Sequence, residues 1–325
     1  MKVAQIENNN LVIKDRENET LDGRKGALLK VLGCGLCGSD IVKLTQHLSK
    51  DGTVLGHEIV GEIVDINTDT NFKIGDEIIT SHHIPCGKCE YCKNGNVSMC
   101  RHFKETNIRP GGFSELVFVS EEHLQNVAYL KPENLSNDEA VFYEPLGCCI
   151  RAVKRANLNK NSTALVIGLG SIGILMAQAL RAFGMKVIGC DLLSSRVELL
   201  KNLGIEAFNV NELCESINAD GVFMTSGSDK ALPTALKYVR DGGKILVFAS
   251  TPQNTGYANN EIYYRELTVL GSYSPSPADL KDSYELLKTK EVKVKGLSTN
   301  YPLEQVQKAV NDTLENKILK AYISI

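Results

Sequence analysis

Ala164-Leu165-Val166-Ile167, followed by Gly168-Leu169-Gly170-Ser171-Ile172-Gly173 and the apolar-periodic residues 172–183, is the stretch from which the fold can be read. Four apolar residues suited to a buried strand run into G-x-G-x-x-G and then into a helix pattern. The first glycine makes a tight turn, the second lets the backbone approach a pyrophosphate, and the helix N-terminus offers unpaired N–H groups to the phosphates. Gly168, Gly170, Ser171, Ile172 and Gly173 are therefore candidate dinucleotide-binding residues. The next strand pattern ends at Asp191, 18 residues after Gly173. A carboxylate there can accept hydrogen bonds from the adenosine ribose hydroxyls and repels a 2′-phosphate, so NAD is expected over NADP. Arg196, beside the same loop, keeps NADP open. The competing reading is a plain strand–turn–helix with no ligand.

Outward from this motif the alternation continues. Helix patterns cover residues 195–203 and 230–239, and short apolar strands cover 186–190, 221–224, 244–248 and 267–270. That rhythm predicts an α/β Rossmann domain, a doubly wound parallel sheet, over residues 147–273. Upstream the chain is β-rich. Residues 1–6 and 11–14 read as a hairpin around Asn8-Asn9-Asn10, with further strands at 27–32, 58–66 and 77–80. The C-terminal part reads as helices at 277–289 and 303–314 and a strand at 320–325.

The bulk numbers exclude several function classes. The 325 residues are 43% hydrophobic and 23% charged with net charge −3, ordinary values for a globular chain. There is no basic block to serve a nucleic-acid binder and no apolar run long enough to span a membrane. The opening residues lack the apolar core of a signal peptide, so a cytoplasmic location is expected.

Ten cysteines require explanation, and four stand in one short loop, Cys86-x2-Cys89-x2-Cys92-x7-Cys100. In a reducing compartment such clustering points to metal. Four thiolates with no open position suit a tetrahedral structural zinc, and Gly87, Lys88, Lys93 and Gly95 allow a tight loop and offset its charge. An iron–sulfur cluster is the competing reading.

Cys37, in Gly35-Leu36-Cys37-Gly38-Ser39-Asp40, and His57, in Gly56-His57-Glu58, mean little singly. With the four-cysteine loop and the nucleotide motif, however, the chain resembles the zinc-containing medium-chain dehydrogenases over nearly its whole length. Phe72-Lys73-Ile74-Gly75-Asp76-Glu77, Gly111-Gly112-Phe113-Ser114-Glu115, Glu144-Pro145-Leu146-Gly147 and Tyr301-Pro302-Leu303-Glu304 carry the resemblance further.

The resemblance implies a GroES-like catalytic domain, residues 1–146 and 274–325, whose C-terminal helices return to the β-rich region. It implies two zinc ions per chain and NAD. Cys37 and His57 match the first two catalytic zinc ligands. The third is a glutamate in the sorbitol and threonine dehydrogenase branch, which matches Glu144; Cys148, four residues on, is the alternative, with Cys149 behind it. Glu58 matches the acid beside the metal and Asp40 the acid that orients the ligand histidine. Ser39 matches the hydroxyl that takes the alcohol proton. Where many members have a relay histidine this chain has Val42; His82 matches a position lining the substrate pocket and is expected to supply the missing polarity or proton path.

The implied reaction is hydride transfer between a small alcohol, a secondary alcohol or polyol, and NAD. A threonine-type amino alcohol is the alternative substrate. A zinc-free reductase and a non-catalytic nucleotide-binding relative are the competing functions. A homo-oligomer, dimer or tetramer, is expected, with no nucleic-acid or membrane partner.

Overall fold

The computed structural model describes residues 1–250 and 258–325. Its contacts divide the chain into two units. The first comprises Met1–Glu144, Ser276–Thr289 and Val294–Ile325, and the second Pro145–Pro275 and Lys290–Lys293.

In the first unit Lys2–Glu7 and Asn10–Asp15 pair antiparallel. Asn8 and Asn9 sit at φ 47° and 62°, left-handed positions that asparagine tolerates in a tight hairpin turn. The organising strand is Gly26–Gly35, longer than the expected 27–32 because its two halves find different partners. Leu116–Ser120 pairs with its first half, Ala321–Ser324 pairs with its last residues, and Glu58–Ile66 runs along it. Glu77–Thr80 follows on Glu58–Ile66, and Thr299–Pro302 lies beside Ala321–Ser324. Val3, Ile6, Leu29, Ile59, Ile63 and Phe113 are buried together with Val306 and Val310 of the helix Val306–Leu314. The expected helix 303–314 begins later because its first three residues, Leu303–Gln305, form a 3₁₀ turn.

The second unit holds a six-stranded sheet, every neighbouring pair parallel. Its order is Glu206–Asn209, Lys186–Asp191, Thr163–Ile167, Ala219–Met224, Val239–Val247, Thr268–Gly271. Numbered along the chain this is 3-2-1-4-5-6, the doubly wound dinucleotide-binding order. Leu165, Val222, Met224 and Ile245 are buried, as strands covered on both faces require. The helix Ser171–Ala182 is buried from Gly173 to Leu180.

Two strands of the second unit's sheet differ most from the sequence expectation. Glu206–Asn209 is a strand although Glu-Ala-Phe-Asn carries little strand pattern; its pairing with Lys186–Asp191 supplies the order. The strand Val239–Val247 begins five residues earlier than expected, taking in Arg240-Asp241-Gly242-Gly243, because Val239 already pairs with Ala219 across a register shift.

Candidate active site

The glycine turn behaves as its spacing suggests. Gly168 has φ +94°, a left-handed value that disfavours a side chain, and a Cβ there would meet Ser226 at 2.8 Å. A Cβ on Gly173 would stand 1.9 Å from the Gly168 carbonyl oxygen, so only glycine lets the helix pack this close to the turn. At Gly170 a Cβ would meet open space, which a pyrophosphate needs. Ser171 begins the helix with Gly170 as its cap, leaving the first N–H groups of Ser171 and Ile172 at its N-terminus.

Asp191 does more than the sequence indicates. Its Oδ2 accepts from the Leu169 N–H at 2.6 Å and its Oδ1 from the Leu193 N–H at 2.9 Å. The carboxylate therefore ties the glycine turn to the following loop while keeping lone pairs for a ribose. Arg196 Nη1 lies 3.6 Å from Asp191 Oδ2 and offsets part of its charge.

In the first unit Cys37 caps the helix Gly38–Thr45. Its N–H donates to Asp40 Oδ2 at 3.2 Å, and Asp40 Oδ1 lies 3.4 Å from His57 Nδ1. One buried carboxylate thus connects two candidate ligands and points His57 so that Nε2 is left for another partner. Burial opposes a charged His57, yet Asp40 and Cys37 overcome it and lift its pKa well above 6.5. Burial likewise works against ionised Asp40, and His57 overrides it, holding the carboxyl below its ordinary 3.8. Ser39 is exposed at the start of the same helix.

Glu144 is buried in the first turn of the helix Tyr143–Ala156, with Cys148 one turn later. Pro145 is tolerated because a first-turn residue has no intrahelical N–H bond to lose. Ligand atoms of Cys37, His57 and Glu58 lie within 4.8 Å of one another, and so do those of His57, His82 and Glu144. The two groups share His57. Cys148 enters neither group among the described residues.

Four further residues carry the site, none marked by a sequence motif. Lys320 Nζ, buried, donates to the buried Glu58 Oε2. The His82 ring packs on His57 at 4.4 Å between centroids and on His83 at 4.0 Å, and His83 packs on Phe103 at 4.7 Å. His123 donates from Nε2 to the His82 carbonyl at 3.0 Å, so a histidine without a recognisable pattern holds the backbone of one with a site position. Burial lowers the pKa of His82 well below 6.5, that of His83 to about 4, and that of His123 as well. These rings are neutral imidazoles at neutral pH.

The loop 86–100 gathers its four thiols, with sulfurs within 4.8 Å of one another and Cys89 Sγ 3.6 Å from Cys92 Sγ. Cys89 caps the short helix Glu90–Lys93 and Cys100 caps Arg101–Glu105. Burial is the main influence pushing Cys92 up to about 12; Cys100 falls to about 6, since N–H groups of Cys86 and Phe103 outweigh its burial. Backbone N–H groups of Lys88 and Cys89 lower Cys86. Thiols so close cannot all ionise without a cation, and an all-sulfur tetrahedral set suits zinc. The catalytic set also fits one: thiol, imidazole and carboxylate donors of Cys37, His57, Glu58 and Glu144 gather around the buried His57, whose Nδ1 faces Asp40.

Residues 23–129 match the alcohol dehydrogenase GroES-like domain, and residues 171–289 match the zinc-binding dehydrogenase domain. The chain belongs to the zinc-containing alcohol dehydrogenase family, and it is an oxidoreductase whose cofactors are zinc and a nicotinamide dinucleotide. Within that family it stands near the sorbitol dehydrogenases. It is 32% identical to the sorbitol dehydrogenase of Halalkalibacterium halodurans, covering 94% of this chain and 93% of that one. To the sorbitol dehydrogenase of Bacillus subtilis it is 31% identical, over 91% of this chain and 89% of the relative. The acetophenone reductase of Geotrichum candidum, solved with NAD, shares the fold at TM-score 0.87 and 24% identity, over 100% of this chain and 96% of that one. No helix among the described residues is long and apolar enough to cross a membrane.

Proposed function

We propose that this enzyme interconverts a secondary alcohol or polyol and its ketone with NAD as hydride acceptor. A catalytic zinc would be held by Cys37, His57 and Glu144, and a structural zinc by Cys86, Cys89, Cys92 and Cys100. The observation that carries the reading is the convergence of donors on His57: ligand atoms of Cys37 and Glu58, and separately those of His82 and Glu144, lie with it in groups within 4.8 Å. Zinc bound there supplies a Lewis acid that lowers the pKa of an alcohol hydroxyl, while NAD accepts the hydride.

The chain's own residues do the positioning. Asp40 fixes the His57 ring and the Cys37 backbone together, so the two donors keep a constant separation. The uncharged rings of His82 and His83 pack beside His57 and bring no competing positive charge to it. In this reading Ser39, exposed at the start of its helix, takes the alcohol proton and passes it to water, in place of a relay histidine at Val42. Asp191 supports NAD by its charge, and the Thr268–Gly271 strand, at the edge of its sheet, is the kind of surface a homo-oligomer covers. The cysteines form no disulfides among the described residues, in accord with a reducing compartment.

The test is zinc per chain, with activity toward a panel of polyols and secondary alcohols, in wild type and Glu144→Ala. About two zincs falling to about one with loss of activity is the expected result. Two zincs retained in the variant would transfer the third ligand to Cys148. Reduction of NADP in preference to NAD would overturn the cofactor assignment.

A further inference from the structure

The two groups of ligand atoms around His57 differ in how much donor capacity they have to spare. In the group with Cys37, the Glu58 carboxylate already has Lys320 on Oε2, so a buried ammonium meets its charge and weakens its pull on a second cation; its Oε1 has no partner. In the other group stands His82. Its Nδ1 is buried and makes no hydrogen bond, and its ring lies between those of His57 and His83. Leaving such a nitrogen buried and unpaired is unfavourable unless something occupies its lone pair. The backbone at His82 is held from behind by His123, and the ring itself is packed between His57 and His83.

We propose that His82 is itself a ligand of the catalytic zinc, sharing it with His57 and Glu144. This rests on the metal-site reading above and deepens it. A metal ion would occupy the lone pair of a ring nitrogen, His82 Nδ1, that is buried and has no partner among the described residues, and the packing of the ring on His57 and His83 sets its direction. Binding His82 makes the metal's surroundings richer in nitrogen and more closed than three ligands and water would be. An incoming alcohol then has to displace a ligand or expand the coordination.

The experiment replaces the more labile zinc by cobalt(II), leaving the four-cysteine ion in place, and compares wild type with His82→Phe and His82→Ala. Phenylalanine keeps an aromatic ring in the packing but has no lone pair. The expected result is a changed visible ligand-field spectrum and metal affinity weaker by about 100-fold in both variants, with added imidazole restoring the spectrum of His82→Ala alone. A wild-type spectrum and affinity in His82→Phe would show that the ring only packs, and would overturn the inference. His57→Ala separates the two levels. If it too keeps the labile ion, the metal-site reading fails; if it loses the ion while His82→Phe does not, only the ligand role of His82 falls.

Discussion

Lys320 Nζ donates to Glu58 Oε2 across 262 residues of sequence, with both side chains buried. The strands that bring them together are Glu58–Ile66 and Ala321–Ser324, which flank Gly26–Gly35 on opposite sides. A lysine just outside the last strand thereby becomes the countercharge of an acid beside the candidate metal ligands.

Removing one partner of such a pair strands the other. Lys320→Met should destabilise the protein by about 3–5 kcal/mol, and Lys320→Met with Glu58→Gln should recover most of it. Burial opposes a charged Lys320, but Glu58 raises its pKa above the ordinary 10.5. Its contribution is therefore complete below pH 10.5 and lost as the pH climbs through the raised value. Denaturant unfolding across alkaline pH checks both points: wild type should lose stability there faster than Lys320→Met.

Asp40 bridges the Cys37 backbone and His57 Nδ1. Asp40→Asn keeps the size of the side chain but loses its charge. Zinc affinity at the catalytic site should fall by about 10–100-fold, as read by chelator competition, with the four-cysteine ion unaffected. Equal affinity in the two proteins would remove Asp40 from the site.

The Cys loop and the histidines around His57 are joined by a chain of tilted rings in contact, Phe103 to His83 to His82 to His57. Cys92→Ser should lower the metal content from about two zincs to about one and loosen Phe103. The His83 ring, held at about 4 mainly by burial, should then titrate nearer 6.5 in histidine NMR. In wild type the neutral ring favours the fold above pH 6.5, and that contribution is lost as pH falls through about 4. An unmoved titration would mean that the loop does not support the histidine wall.

Asp191→Asn tests the cofactor charge separately from the turn. It keeps one acceptor for the Leu169 or Leu193 N–H and removes the charge a 2′-phosphate would meet. The ratio of kcat/KM with NADP to that with NAD should rise by about tenfold, about 1.4 kcal/mol. An unchanged ratio would leave Asp191 with its turn-bracing role alone.

The sequence by itself determined whatever depends on neighbours along the chain. Gly168 to Gly173 announce a turn and a closely packed helix because the clashes that forbid other residues there are local. Cys86 to Cys100 need only one loop to meet. The strands Glu58–Ile66 and Glu77–Thr80 appear at their expected limits, since alternation and a Gly75-Asp76 turn bound them. Tertiary structure decided the remainder. Glu206–Asn209 and the start of Val239–Val247 become strands because a neighbouring strand offers hydrogen bonds to sequences with weak patterns. Lys320 beside Glu58 and His123 behind His82 carry no motif at all. Compensation of a buried charge and support of a ring depend on which distant residue arrives within about 3 Å, a distance that periodicity and spacing do not encode.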